Sequence, residues 1–452
     1  MRGDGNADGL VDISDAVTVL AYLFDVRAAP SCLQSVDAND DGQLDIADTI
    51  RLLTYLFADG PPLPEPFGAC GSDMTPDALT CVSYAPCSEA GVPRVRLERL
   101  TNGINVTRPF WGYQWSYGTF DASYARRTFG LEEIETIRAL GFRHVRLPIA
   151  ERDLVTPGEP AQLNATMLSA LTIAVRDALA GGLAVIMDLH ASDEYKEALQ
   201  FDGAAVENMA KTWGALAGVF SAMDPDLVYF EVLNEPVFDD GSGGYAFARW
   251  AAVLAELHAA IRAAAPDHTI IAGGADWNGI DGLEALEPLA DPNVVYNFHF
   301  YEPFIFTHQG ASWGGEPWVS FHDVPYPSSP ASVAPLLDEF VPGSQAYDFL
   351  EWYGDIRADR AWVAACLKPA VDWAARHGVP LTCNEFGVYK PYSPRPDLLA
   401  WHRDVCELFD AHGIGWCKWE YDEGFGIVTY LSEEFTDPTP DGELIAAMGL
   451  AP

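Results

Sequence analysis

From about residue 95 onward the chain alternates short β-rich runs with amphipathic runs of helical period, and this alternation constrains its fold more than any other feature. The β-rich runs are Arg99–Asn105, Arg143–Pro148, Ala184–Asp188, Val228–Leu233, Thr269–Ala272, Val294–Phe298, Leu381–Asn384 and Gly415–Trp419. Helical runs fit between them. Leu131–Leu140 carries Leu131, Ile134, Ile137 and Leu140 at spacings of three; Leu168–Ala180, Met209–Met223, Phe247–Ala265, Arg360–His377 and Leu398–His412 follow. Eight strands, each followed by a helix, predict an α/β fold of the (β/α)8 barrel type. A doubly wound open sheet is the competitor, but no Gly-x-Gly-x-x-Gly turn follows the first strand.

In such a barrel the chemistry sits at the C-terminal ends of the strands. Those ends are polar here: Arg146 in the second strand, Asp188 and His190 in the third, Asn234 and Glu235 in the fourth, His299 and Tyr301 in the sixth, Asn384 and Glu385 in the seventh, Lys418, Trp419 and Glu420 in the eighth. Glu235 and Glu385 lie far apart in sequence, yet the topology brings them to one pocket. Paired carboxylates suit glycosidic bond cleavage, in which one is protonated to assist the leaving oxygen and the other ionised to attack the anomeric centre. Either glutamate alone reads equally well as a solvated carboxylate or an ion pair with Arg146; six polar strand ends together favour the site. His190 and His299 lack further ligands for a metal, and no Gly-x-Ser-x-Gly elbow marks a serine hydrolase.

These motifs together resemble glycoside hydrolase family 5, the cellulases and β-mannanases of the retaining clan A. They are Gly141-Phe142-Arg143-His144-Val145-Arg146-Leu147-Pro148, Asp188-Leu189-His190, Asn234-Glu235-Pro236, His299-Phe300-Tyr301, Asn384-Glu385-Phe386-Gly387 and Trp419. The resemblance implies Glu235 as general acid/base and Glu385 as nucleophile. It implies that Asn234 bonds the sugar 2-hydroxyl, that Arg146 and Tyr301 hold Glu385 ionised, that His190 and His299 line the site and that Trp419 forms its floor. No cofactor is expected for catalysis. A long segment, Glu302–Asp359, is rich in aromatic residues, which argues against disorder. Most of these rings fit a small core beneath the segment, with Trp313 and Trp318 as candidate exposed sugar platforms. Trp111, Tyr113 and Trp115, and Trp277 with Asn278, are candidates for the negative subsites.

The first 60 residues hold a repeat. Asp4, Asn6, Asp8, Asp12 and Asp15 place oxygen ligands at positions 1, 3, 5, 9 and 12 of a loop, and Asp37, Asn39, Asp41, Asp45 and Asp48 do so again. Gly9 and Gly42 take position 6, and Leu10 and Gln43 can offer backbone carbonyls at position 7. Such oxygen-rich loops suit Ca2+. Each is followed by an apolar helix. Aspartate at position 12 and the missing incoming helix resemble the dockerin type I family, which implies two structural Ca2+ ions. In many members it implies docking to a cohesin through helix-start residues, here Ile13-Ser14 and Ile46-Ala47. These pairs differ, so packing against the chain's own enzyme is the competing expectation.

Residues 1–90 carry 15 acidic and 3 basic side chains. With Pro61, Pro62, Pro64 and Pro66 following the repeat, this predicts three parts: a calcium module at 1–60, a proline- and cysteine-rich linker or disulfide-stapled extension at 61–94, and a catalytic barrel at 95–452. Cys32, Cys70, Cys81 and Cys87 suggest disulfides and an oxidising compartment, with three pairings open. Cys366, Cys383, Cys406 and Cys417 are expected to be buried thiols. No signal peptide precedes the repeat, and a chain trimmed from a longer secreted precursor is expected. The net charge of −40 excludes capture of nucleic acid or anionic membranes. The expectation is a secreted retaining endo-β-1,4-glucanase acting on β-glucan. The alternatives are a β-1,4-mannanase, an exo-acting β-glucosidase, a non-catalytic carbohydrate-binding protein and a calcium-dependent assembly subunit.

Overall fold

The structure, a computed structural model, describes all residues except 25–28, 31, 59, 69–72, 74, 76, 78, 82–90, 117, 157, 243, 433 and 452, and the side chains of 115 and 116. The chain forms two compact units, Met1–Gly91 and Val92–Pro452.

In the larger unit eight parallel strands close into a barrel: β1 (Gly103–Asn105), β2 (His144–Ile149), β3 (Ala184–Leu189), β4 (Val228–Glu231), β5 (Ile270–Gly273), β6 (Val294–Phe300), β7 (Leu381–Phe386) and β8 (Gly415–Lys418). Each strand pairs with its sequence neighbours, and β8 closes on β1. Helices lie between the strands, among them Leu131–Ala139, Ala165–Ala180, Gly203–Phe220, Phe247–Ala264, Arg360–His377 and Arg395–His412. Because side chains alternate along a strand, the inward positions form layers. Ala184, Ile186, Tyr229, Ile271 and Val295 make a lower apolar layer. Two residues further along the same strands stand Asp188, Glu231 and Asn297, all buried. The barrel is therefore apolar below and polar above, and the polar layer faces the mouth.

The first strand is shorter than the expected Arg99–Asn105. Residues Arg94–Arg99 form a helix, and Leu100 packs on the lower apolar layer. Leu100 is thus a plug of the barrel floor, for which its apolar side chain serves as well as it would in a strand. The segment after β6 is not a bare loop: it holds the helices Phe304–Thr307, Pro330–Leu337 and Gln345–Ile356. Phe306, Phe321, Tyr326, Leu350 and Tyr353 are buried beneath it. No helix among the described residues is long and apolar enough to cross a membrane.

The smaller unit is built on the repeat. Helices Ile13–Leu23 and Ile46–Phe57 begin at Asp12 and Asp45, whose side chains cap them, and Asp15 and Asp48 complete capping boxes. Position 9 of each loop is therefore also a helix cap. Gly9 and Gly42 have φ of 88° and 73°, the left-handed turn that position 6 demands. Ala16, Ala38, Leu52 and Leu63 form a small core. A core of this size is supplemented by the disulfide Cys32–Cys81, which ties the repeat to the following extension. Cys70 and Cys87 lie outside the described residues. Cys366, Cys383, Cys406 and Cys417 are free thiols, the last three buried.

Candidate active site

The polar layer is organised by Arg146, which is fully buried. Its Nε and Nη2 donate to the two oxygens of Glu231 at 2.8 and 3.0 Å. Nη1 donates to Glu385 Oε1 at 2.8 Å and to Asn105 Oδ1 at 2.9 Å; Nη2 donates to Asn234 Oδ1 at 2.7 Å and lies 3.0 Å from Asp188 Oδ2. Burial opposes this charge, yet Asp188, Glu231 and Glu385 hold the guanidinium protonated, its pKa well above the usual value. Glu231 is fully satisfied, since Asn384 Nδ2 and Asn297 Nδ2 also donate to it at 2.6 and 3.1 Å.

Register places the two glutamates. β6 pairs with β7, and a bulge after Phe298 brings His299 opposite Glu385. Tyr301 Oη donates to Glu385 Oε2 at 3.0 Å. His299 Nδ1 lies 2.9 Å from Glu235 Oε1 and 3.6 Å from Glu385 Oε2. One donor atom each from Glu235, His299 and Glu385 lies within 4.8 Å of the others. Glu235 adopts φ of 45°, a strained conformation for a residue with a side chain. Neighbouring contacts hold it there: Asn234 N donates to Leu189 O, Lys196 Nζ to Glu235 O, and Trp277 N to Pro236 O.

His190 completes a relay. Its Nδ1 faces Asp188 Oδ2 at 3.0 Å, so Nε2 is free to accept from Asn234 Nδ2, also at 3.0 Å. The Asn234 amide is thereby fixed between His190 and Arg146. The His190 ring packs at 4.2 Å from Trp111 and stacks on Trp419 at 6.1 Å, between centroids, forming an aromatic floor.

Burial drives the titration of this group. It pushes Glu385 up to about 7 against the pull of His299 and Arg146. It raises Glu235 as well, against Lys196, His190 and Arg146. Two carboxyls this close hold one negative charge between them. Glu385 receives a guanidinium N–H and a tyrosine O–H, whereas Glu235 faces only the imidazole among these groups. These two donors favour the ionised form of Glu385 over that of Glu235. His299 is lowered to about 4 by burial and is neutral; Tyr301 is raised well above its usual value by burial and Glu385 and stays a donor. The Glu235, His299 and Glu385 cluster has the donor types of a metal site. Both oxygens of Glu385 are already engaged by donors, one of them cationic, which disfavours a second cation there.

The structure thus brings together Arg146, His190, Asn234, Glu235, His299, Tyr301, Glu385 and Trp419. Trp277 is 47 % exposed beside Lys196, and Trp313 is 60 % exposed, edge-on to Tyr389 at 4.9 Å. Trp318 is not a platform, because it packs half-buried against Phe304 and Phe349. Tyr113 is buried, its hydroxyl on Asp153, and is likewise unavailable to a sugar; the Trp115 side chain lies outside the described residues. Sequence reasoning did not single out Glu231 and Lys196. The signal for Glu231 was a lone charge in an otherwise apolar strand, Val228-Tyr229-Phe230-Glu231.

In the smaller unit, Asp15 Oδ1 accepts from Gly5 N and Asn6 N, and Oδ2 from Asp12 N; Asp48 accepts likewise from Asn39 N and Asp45 N. Asp4 and Asp37 accept from the N–H groups of residues 8 and 9, and 41 and 42. Asp4, Asp15, Asp37 and Asp48 are almost wholly buried. Burial raises Asp15 and Asp48 to about 6, with Asp4 and Asp8 adding to the first and Asp37 to the second. Carboxylates and carbonyls are the ligand types a hard divalent cation takes, and these loops supply them.

A family model described as cellulase (glycosyl hydrolase family 5) matches residues 124–424. Endoglucanase 3 of Fibrobacter succinogenes is 28% identical over 346 residues, 74% of this chain and 51% of that protein; the chain thus spans about half that relative's length. Endoglucanase C of Acetivibrio thermocellus is 27% identical over 325 residues, 71% of this chain and 90% of that protein. The solved endoglucanase Cel5A of Thermotoga maritima is similar with a TM-score of 0.60 at 25% identity, covering 79% of this chain and 99% of that one. That protein has also been solved with cellobiose and with mannotriose.

Proposed function

Since the chain belongs to the cellulase family, glycosyl hydrolase family 5, we propose that it is a secreted, retaining endo-β-1,4-glucanase that cleaves β-glucan by double displacement. The observation that carries this reading is the asymmetry of the glutamate pair: Arg146 and Tyr301 donate to Glu385, and Glu235 faces neutral His299. Glu385 attacks the anomeric carbon while Glu235 gives its proton to the departing glycosidic oxygen. A covalent glycosyl ester forms on Glu385. Glu235, now ionised, takes a proton from water; the water oxygen attacks the same carbon and Glu385 leaves. Retention of this kind needs carboxyl groups about 5–5.5 Å apart, against about 6.5–9.5 Å for inversion. The closeness of the Glu235, His299 and Glu385 donor atoms supports the shorter class. Asn234, oriented by Arg146 and His190, bonds the sugar 2-hydroxyl, and Trp419 with Trp111 supports the ring. The chemistry uses carboxylates alone, and enzymes of this family need no cofactor.

The mannotriose complex of Thermotoga maritima Cel5A favours mannan as a second substrate. We further propose that loops 4–15 and 37–48 each hold a structural Ca2+. The disulfide Cys32–Cys81 supports secretion. The helix faces that expose Ile13 and Val17, and Ile46 and Ile50, are the surfaces a cohesin would meet. Product analysis on carboxymethylcellulose, glucomannan, mannan, xyloglucan and lichenan tests the enzyme reading. Cello-oligosaccharides of mixed length are expected; cleavage of mannan alone would reassign the substrate, and cellobiose or glucose as the only early product would reassign the mode.

A further inference from the structure

Lys418 ends β8 and is wholly buried. Its ammonium donates to the carbonyls of Trp419 and Phe425, the second at 3.0 Å. Buried carbonyls need donors. These two belong to residues 419–427, which form neither helix nor strand, so no ladder supplies them. The neighbouring carbonyls of Gly424 and Gly426 are met in the same way, by the N–H and the ammonium of Lys390. Trp419 is thus held at both ends of its backbone. Its N–H donates to Phe386 O at 3.0 Å, one residue beyond Glu385, and its carbonyl receives Lys418. Gly387 keeps the place open: a β-carbon there would fall 2.5 Å from Trp419 O and 2.7 Å from Lys418 Nζ, closer than non-bonded atoms pack. Phe425, the other residue on the ammonium, sets its ring 6.1 Å from that of Tyr301, the donor to Glu385. Burial, with Lys390 nearby, lowers Lys418 to about 7. The neutral amine still carries two N–H groups, one for each carbonyl, so the clamp closes in either form.

We infer that Lys418 is a positioning residue: it draws the carbonyls of Trp419 and Phe425 to one point and so fixes the Trp419 ring under the reacting sugar. The inference rests on the glycanase reading. A ring that supports a sugar through the transition state must be held closely, since a displacement of about 1 Å can cost on the order of a hundredfold in rate. The Trp419 side chain is only half-buried, so its own packing leaves part of it open and its backbone carries the rest of the restraint. Lysine suits this task because one nitrogen serves two carbonyls and brings no acceptor that would itself need a donor.

The test is a double-mutant cycle on 2,4-dinitrophenyl β-cellobioside. Lys418→Met should lower kcat/KM about tenfold when Trp419 is present, and less than about twofold in Trp419→Ala, because the ring it positions is then gone. Lys418→Gln, a shorter side chain that keeps N–H donors, is the second variant and replaces the first if that one does not fold. It should show the same dependence on Trp419 with a smaller loss. A merely structural lysine would cost both backgrounds alike. An equal fold loss in both, or no loss in either, would overturn the assignment. Failure of the underlying reading has a different signature, a wild-type enzyme inert on both cellopentaose and the aryl cellobioside.

Discussion

At the barrel mouth, Arg146 sits among Asp188, Glu231 and Glu385 and compensates them from within the protein. In loops 4–15 and 37–48, aspartates just as buried are held by backbone N–H groups. The difference teaches what each cluster is for. A fixed guanidinium and a tyrosine hydroxyl that donate to Glu385 and not to Glu235 make the two carboxyls unlike, as the proposed catalysis requires. Backbone N–H groups fix the oxygens without a compensating cationic side chain on Asp15 or Asp48 among the described residues, as the proposed calcium loops would require. Arg2 in the smaller unit is intermediate: it is buried and lies 2.7 Å from Asp40 and 3.0 Å from Asp73, beside the second loop.

Removing the fixed cation is the severest way to break the contrast. Arg146→Met leaves several buried acids uncompensated, so the barrel should lose about 3–5 kcal/mol of stability along with its activity. Calorimetry that finds the barrel transition within about 2 °C of wild type would show that the compensation lies elsewhere. Chelation should do the reverse, loosening residues 1–60 by about 4 kcal/mol if free Ca2+ had stood near a thousand times its dissociation constant, with glucan hydrolysis within about twofold. Limited proteolysis beside an activity assay checks both halves, and hydrolysis that stops without unfolding would point to a catalytic metal.

Proton competition sharpens the loop half. Burial lifts Asp15 and Asp48 to about 6 when folded, above the ordinary unfolded value of about 3.9. Between those values the ion-free folded loops bind more protons than the unfolded chain, so their stability is lost as pH rises through about 6. Under the proposed reading calcium displaces those protons, and its affinity should fall as pH drops below 6. Calcium titrations at pH 5 and pH 7 that give equal affinity would contradict this. The smallest effect is expected at Arg2→Met, about 2 kcal/mol on the smaller unit alone, because Asp40 keeps partial access to water.

The eight strands were legible because each is a compact β-rich run, and the site because its side chains stand at strand ends. Glu235, Glu385 and Arg146 were each ambiguous alone, and their shared place at strand ends made the set readable. Glu231 was hidden because its partners, Arg146, Asn297 and Asn384, come from three distant strands. Lys196 was hidden because its meaning depends on a helix turning it toward Glu235 and Trp277. Trp313 and Trp318 looked alike along the chain, and only packing against Phe304 and Phe349 separates the half-buried ring from the exposed one. Leu100 reads equally well as strand or plug until the layer beneath it is seen.

The central claim is that Glu385 attacks the sugar while Glu235 supplies the proton. A 2-deoxy-2-fluoro-β-cellobioside with a good leaving group slows breakdown of the glycosyl ester enough to trap it, and peptide mass spectrometry then locates the label. The account predicts one cellobiosyl unit on the peptide containing Glu385, with none formed in Glu385→Gln and rapid labelling retained in Glu235→Gln. A label on another carboxylate, or full turnover by Glu385→Gln, would contradict it.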